Sequence, residues 1–390
     1  SPPGQAQHRY TFHDYKETAE SMLKEVRLVI PDGLTTVRGI LVVTNGAGGD
    51  TRNWYTGAWY GEFLHLHDFA FLGAKGFTSH VESLQAMQHA LTQFAKETGH
   101  PELVNVPYVT TGFSAGGGFA SRLLVEVPDR VIACVPVSSR LNFTGTTPSP
   151  ANLATPACII SGELEKAIPA MVEPVLEAYR PRGALFAWMT VQGGGHSKTD
   201  QDIFAIAFLD ACLRLRYPAD ADVRKSPVKL KALDPNTGWV ADNTTWKTGL
   251  TTITPTGQFK GSIEKSSWLP TEDLAFIYRA YATYDRPLTI TTPQDTWNGR
   301  HVYDPGSDIT IKVDDSRFPG WRKLEFFDGA RKLGQITQSP PQFTATNLSP
   351  GFHAFSVLGT DATGTLRTSN PTLVIVRKPP ASQPGAANHP

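Results

Sequence analysis

Three side chains of this sequence could do chemistry together: Ser114, a glutamate at 163 or 165, and His196. A serine hydroxyl attacks a carbonyl carbon only when a base removes its proton, and a carboxylate must orient that base. Ser114 lies in Gly112-Phe113-Ser114-Ala115-Gly116. Between a strand and a helix, G-x-S-x-G is a nucleophile elbow, whose glycines let the two elements approach and leave the hydroxyl exposed. The pentapeptide alone is a weak signal, because a glycine-rich turn containing a serine reads the same way. Its context strengthens it: an apolar strand over 106–111 precedes it and a helical stretch over 117–125 follows.

The acid has two candidates. The strand over 156–161 runs into Gly162-Glu163-Leu164-Glu165, where the G-x-x-acid spacing favours Glu165 and leaves Glu163 as its competitor. The strand over 185–192 runs into Gly193-Gly194-Gly195-His196. A glycine run before a histidine suggests backbone that must bend around something. The chain order is nucleophile, acid, histidine, and each member follows the carboxyl end of a strand, where doubly wound sheets collect functional groups. A tetrahedral intermediate also needs two backbone N–H donors. Ala115, next to the serine, is one expected donor. Ala47 in Asn45-Gly46-Ala47-Gly48-Gly49 is the other, with Gly48 next in line. Trp54, Tyr55 and Phe113 are the expected substrate-binding aromatics, with Trp59 and Tyr60 close by; core or rim packing accounts for them equally well. Arg140 could anchor a carboxylate or be an ordinary surface arginine.

The elements that must position these groups follow from periodicity. Strands are expected over 23–31, 37–44, 69–72, 106–111, 131–138, 156–161 and 185–192. Helices are expected over 80–97, 117–125, 168–179 and 199–217. Continuously apolar strands alternating with helices predict a doubly wound, mostly parallel α/β sheet covered on both faces. After Tyr217-Pro218 the rhythm changes. Residues 219–284 read as a connecting region packed on the first domain, with one helix over 271–283 capped by Thr271. Its Trp239, Trp246 and Trp268 suit buried packing better than a carbohydrate surface. Residues 285–378 hold about seven short strands and predict a β-sandwich. Residues 1–20 read as a polar tail and 379–390 as a disordered one. The catalytic domain therefore spans 21–218.

Composition sets outer bounds. The chain has 390 residues, 40% of them hydrophobic, with 36 basic and 36 acidic side chains. That balance supplies no electrostatic footprint for nucleic acid and no basic helix for a membrane. No apolar run reaches the length of a membrane span. Cys134, Cys158 and Cys212 fall in apolar segments and read as small buried hydrophobes. No metal-ligand spacing joins them. Because the sequence has no ligand cluster and serine chemistry of this kind requires none, neither a metal nor an organic cofactor is expected. The start, Ser-Pro-Pro-Gly-Gln-Ala-Gln, suits a mature exported protein, and a trimmed chain equally.

Residues 23–217 resemble the α/β-hydrolase fold, and more narrowly the dienelactone-hydrolase-like and polyhydroxyalkanoate-depolymerase-like esterases, relatives of feruloyl and acetylxylan esterases. The resemblance rests on Asn45-Gly46-Ala47-Gly48, the elbow at Ser114, Gly162-Glu163-Leu164-Glu165 and Gly195-His196. Asn45-Gly46 stands where that group commonly has His-Gly, and glutamate where aspartate is commoner. The resemblance implies a serine carboxylesterase acting through Ser114, His196 and Glu165, with an ester substrate, polymeric or not. No long insertion separates the strands expected over 131–138 and 156–161, so no large lid is expected. Polysaccharide-linked acetyl or feruloyl groups are the first expectation. A polyester depolymerase and a non-catalytic binding protein are the alternatives. Residues 348–376 resemble the last strands of bacterial immunoglobulin-like modules, which implies a secreted or periplasmic protein.

Overall fold

The computed structural model describes residues 8–19, 22–143, 146–197, 202–293 and 301–379. The expected disordered tail beyond 379, the first seven residues and the expected helix start at Thr199 lie outside them.

An eight-stranded sheet forms the centre. Its strands are β1 (Tyr10–Ala19), β2 (Met22–Pro31), β3 (Gly39–Thr44), β4 (Phe69–Lys75), β5 (Tyr108–Phe113), β6 (Val131–Val137), β7 (Ala157–Gly162) and β8 (Phe186–Val191). The spatial order is β1-β2-β4-β3-β5-β6-β7-β8. β4 to β8 run parallel with β3, whereas β1–β2 and β2–β4 pair antiparallel. Every residue of β3 and β6 is buried, as strands covered on both faces require.

The helices are α1 (Ala58–His67), α2 (Val81–Thr98), α3 (Ala115–Glu126), the short α4 (Pro150–Leu153), α5 (Ala167–Tyr179) and α6 (Asp202–Arg216). α2 lies against α3. α1 joins α6 through the buried pair His67 Nε2–Asp210 Oδ1, 2.6 Å apart.

The structure departs from the sequence expectations at two places. Residues 10–19 are not a tail: Tyr10 to Ala19 pair with Pro31 to Met22 along their whole length. An edge strand is hydrogen-bonded on one side only, so its composition stays polar, but His13 and Tyr15 still reach the ring of Phe94 in α2. The aromatic stretch after the Asn45 loop is a turn at Trp54–Thr56 leading into α1, an element the sequence reading lacked. α1 has apolar residues on most of its circumference, because it sits between the sheet and the C-terminal region and shows no clean periodicity.

Past Tyr217, β9 (Trp239–Asp242), β10 (Ile253–Pro255) and β11 (Ser266–Leu269) form a small antiparallel sheet in the order β10-β9-β11. α7 (Glu272–Ala282) follows, and Thr271 Oγ1 accepts its cap hydrogen bond from Leu274 N at 3.2 Å. Trp246 and Trp268 are buried, so they pack and do not form a surface for sugars.

The C-terminal region carries β12 (Thr289–Thr291), β13 (Val302–Tyr303), β14 (Ile309–Asp314), β15 (Trp321–Asp328), β16 (Arg331–Ile336), β17 (Gln342–Ala345), β18 (Gly351–Asp361), β19 (Leu366–Thr368) and β20 (Thr372–Val376). One sheet is β12-β14-β17; the other is β13-β20-β18-β15-β16, with β19 beside β18. Ile290, Ile309 and Ile311 of the first meet Phe326, Phe355 and Val374 of the second in one core, so two sheets face each other. β13 and β19 exceed the seven strands expected; two or three residues are too few to display a period.

Candidate active site

β5 delivers Ser114 into backbone at φ 55° and ψ −120°, a region that non-glycine residues occupy only under constraint, at a cost of roughly 1–3 kcal/mol. Neighbouring strands impose that constraint. Ser114 N donates to Val137 O at the end of β6, 2.8 Å away, and Gly118 N donates to Ser114 O at 3.1 Å. The first turn of α3 is pressed against the loop after β3. A Cβ on Gly116 would stand 2.6 Å from both Asn45 N and Asn45 O, so only glycine lets α3 start here.

That loop forms the near wall of the site, since a Cβ on Gly46 would be 3.4 Å from Ser114 Cβ. The Gly46 amide is taken by its neighbour's side chain, Asn45 Oδ1, at 2.8 Å, and Gly49 N closes the turn on Gly46 O at 2.8 Å. Ala47 is exposed. Ala115 N lies in the first turn of α3, where a helix offers its amides no acceptor four residues back.

The ends of β7 and β8 bring in the other two groups. His196 Nε2 is 2.9 Å from Ser114 Oγ. His196 Nδ1 is 2.5 Å from Glu165 Oε1. Glu165 Oε2 accepts from Gly162 N at 2.5 Å and from Ser138 Oγ at 3.0 Å. The carboxylate is thus held by three donors, with its side chain 4% exposed, while the imidazole is 53% exposed. Burying an ionised carboxylate is tolerable only with its oxygens satisfied in this way. Ser138, itself buried and at φ 48°, escaped sequence reading because a serine ending an apolar strand carries no motif.

The glycine run before His196 has a mechanical reason. A Cβ on Gly162 would lie 2.4 Å from Gly194 O and 2.5 Å from Gly195 O. Leu164 N donates to Gly194 O at 2.8 Å and Glu163 N to Val191 O at 3.0 Å. The acid loop and the histidine loop are therefore laced together backbone to backbone.

Glu163 does a different job from Glu165. Its Oε2 accepts from Gly193 N at 2.9 Å and its Oε1 is 3.1 Å from Lys247 Nζ. The Gly193 amide first, and Lys247 after it, hold this carboxyl below the usual carboxylate range.

Of the aromatic candidates, the Phe113 ring lies 5.0 Å from the His196 ring at 45°. Tyr55 instead faces Tyr10 and Phe71, at 5.1 and 6.2 Å, and Trp54 is partly buried against the core. Tyr60 is buried, and Trp59 packs against Val302 and Ile375 of the C-terminal region. Arg140 is half-buried, with Nη1 donating to Met171 Sδ at 2.9 Å. Cys134, Cys158 and Cys212 are free and buried, and burial pushes their thiols up. Among the described residues no helix is long and apolar enough to cross a membrane.

No protein-family model matches the chain, and no curated protein matches it. Among solved structures it is similar to a poly(3-hydroxybutyrate) depolymerase from Bordetella parapertussis, with 18% identity, 56% of this chain and 94% of that one covered, and a TM-score of 0.36. It is similar to a feruloyl esterase module from Clostridium thermocellum, with 12% identity, coverage of 52% and 87%, and a TM-score of 0.37. Part of it is similar to fibronectin(III)-like modules from Clostridium thermocellum, with 22% identity, coverage of 23% and 94%, and a TM-score of 0.21. Likeness at this level leaves the chemistry to be read from the site itself.

Proposed function

We propose that this protein is a serine carboxylesterase with Ser114 as nucleophile, His196 as general base and Glu165 as the acid that orients it. One observation carries the reading: the unbroken hydrogen-bonded chain Ser114 Oγ–His196 Nε2, His196 Nδ1–Glu165 Oε1, starting from a strained strand-to-helix turn. The sheet order and the nucleophile–acid–histidine succession support an α/β-hydrolase scaffold.

The chemistry runs in two halves. Ser114 Oγ bonds to the ester carbonyl carbon as its proton passes to His196 Nε2. Glu165 stabilises the imidazolium, and the amides of Ala115 and Ala47 donate to the oxyanion. Collapse breaks the bond to the alcohol oxygen, which leaves with the proton from His196. Water then attacks the acyl-serine with His196 again as base, releasing the acid and restoring Ser114.

The substrate class we infer is an acyl ester carried on a polysaccharide, acetyl or feruloyl, with Phe113 beside the acyl position. A polyester is the second reading, favoured by the half-exposed imidazole, which leaves the Ser114–His196 pair open to a bulky chain. Export and an immunoglobulin-like role for the C-terminal sandwich belong to the same proposal. The test is turnover of p-nitrophenyl acetate, followed by acetyl-xylan, methyl ferulate and polyhydroxybutyrate. Ser114→Ala should lose at least about 10⁴-fold in kcat while remaining folded, and a serine-directed phosphonate should add once, at Ser114. An unreactive wild type would leave the binding-protein alternative. Phosphonate on another serine would move the nucleophile.

A further inference from the structure

We propose that residues 239–286, outside the sheet that carries the three groups above, position the His196 loop and complete the site; this rests on reading His196 as the base. β8 is the sheet's last strand, so it has no neighbour to fix its far side, yet it leads straight into Gly193–His196. An edge strand needs cover, and here the connecting region supplies it step by step. At Trp188, Ser267 Oγ accepts from the backbone N at 2.9 Å and donates to the backbone O at 3.0 Å, while Tyr278 OH donates to the same O at 2.5 Å. Two residues on, Thr190 Oγ1 is 3.1 Å from Tyr284 OH. Two further, Gln192 Nε2 donates to Tyr284 O at 2.8 Å, and Arg286 donates to Gln192 Oε1 at 3.1 Å.

Trp188 and Thr190, two apart in β8, and Gln192 just past its end are therefore held in succession, the first through its backbone and the other two through their side chains. The grip then crosses into the loop. Glu163 takes the Gly193 amide with one oxygen and Lys247 Nζ with the other, and Lys247 lies over the Tyr284 ring, 4.9 Å from its centre. An exposed ion pair of this kind adds little stability. What it provides is location: three residues before His196, the loop is tied to a part of the chain about fifty residues away in sequence. Glu163, Lys247 and Tyr284 touch no reacting atom and are positioning residues.

The experiment uses the full chain with Glu163→Gln, Tyr284→Phe, Lys247→Met and Lys247→Arg. Amide hydrogen exchange over 190–197 is measured beside α3, together with kcat and KM on p-nitrophenyl acetate. Exchange over 190–197 should rise about tenfold in the first three variants with α3 unchanged, and Lys247→Arg should stay near wild type. kcat should fall about 5–20-fold with KM within about twofold, the split expected when catalytic geometry loosens and binding does not. Unchanged exchange over 190–197 overturns the proposal, whether or not esters are turned over. Raised exchange with unchanged kcat in an active enzyme overturns it too. Raised exchange in a protein whose wild type hydrolyses no ester leaves the loop positioning standing and sinks the esterase reading instead.

Discussion

At the scale of single residues, two glutamates two positions apart have opposite surroundings. Glu165 is buried, with Ser138 Oγ, Gly162 N and His196 Nδ1 around its carboxylate. Glu163 is at the surface with Gly193 N and Lys247. Only Glu165 can hold the imidazole in one tautomer and offset its charge. Glu165→Gln should therefore lower kcat by about 10³–10⁴-fold, the scale on which a triad loses its orienting carboxylate. Ser138→Ala should cost far less, about 3–10-fold, because two donors remain. Steady-state kinetics on one activated ester compares both, and a mild loss in Glu165→Gln would mean that the pairing with His196 is not used.

At the scale of elements, the site is a meeting of five strand ends, those of β3, β5, β6, β7 and β8. β5 ends against β6 through Ser114 N–Val137 O, and β7 against the loop after β8 through Gly162. Gly162→Ala forces a methyl group into the carbonyls of Gly194 and Gly195. Either β7 or the histidine loop must then move, and with it the geometry of the Glu165–His196 hydrogen bond. The expected result is a loss of about 1–3 kcal/mol in urea unfolding and a kcat at least about tenfold lower. Full activity in that variant would show that the loops have slack.

At the scale of the whole molecule, α1 joins the eight-stranded sheet to the C-terminal sandwich. Phe63 lies 6.1 Å from Phe352, Arg377 pairs with Glu62 at 3.4 Å, and Lys378 with Asp68 at 3.3 Å. His65 is stacked on His8 at this seam, 3.6 Å between ring centres, with its Nε2 buried and without a hydrogen-bond partner among the described residues. Burial first, and the charge on His8 next, push its imidazole down to about 4 from the ordinary 6.5. Between those values the unfolded chain holds a proton that the folded one lacks. Stability therefore falls as pH drops from about 6.5 towards 4. Because part of the ring meets solvent, the loss by pH 5 should be about 1 kcal/mol. Urea midpoints at pH 7 and pH 5 check it: His65→Leu should show the smaller difference, and equal differences would refute the assignment.

Much of the fold was legible because its strands announce themselves. A strand buried on both faces, such as 131–137, has to be apolar throughout, and the turns between elements have to carry glycine and proline. The elbow was legible for the same kind of reason, since the close approach of α3 to Asn45 excludes any side chain at Gly116. The polar edge strand at 10–19 and α1 were not legible, because their residue patterns reflect partners distant in sequence. Ser138, Lys247 and Tyr284 have no local signature either. Their places beside Glu165, Glu163 and Thr190 exist only once β6, β7 and β8 lie side by side and the connecting region closes over the sheet's edge. Local periodicity carries burial, and burial writes itself into residue type. Contacts between side chains 27 to 94 positions apart depend on how the elements pack, and that is decided only in three dimensions.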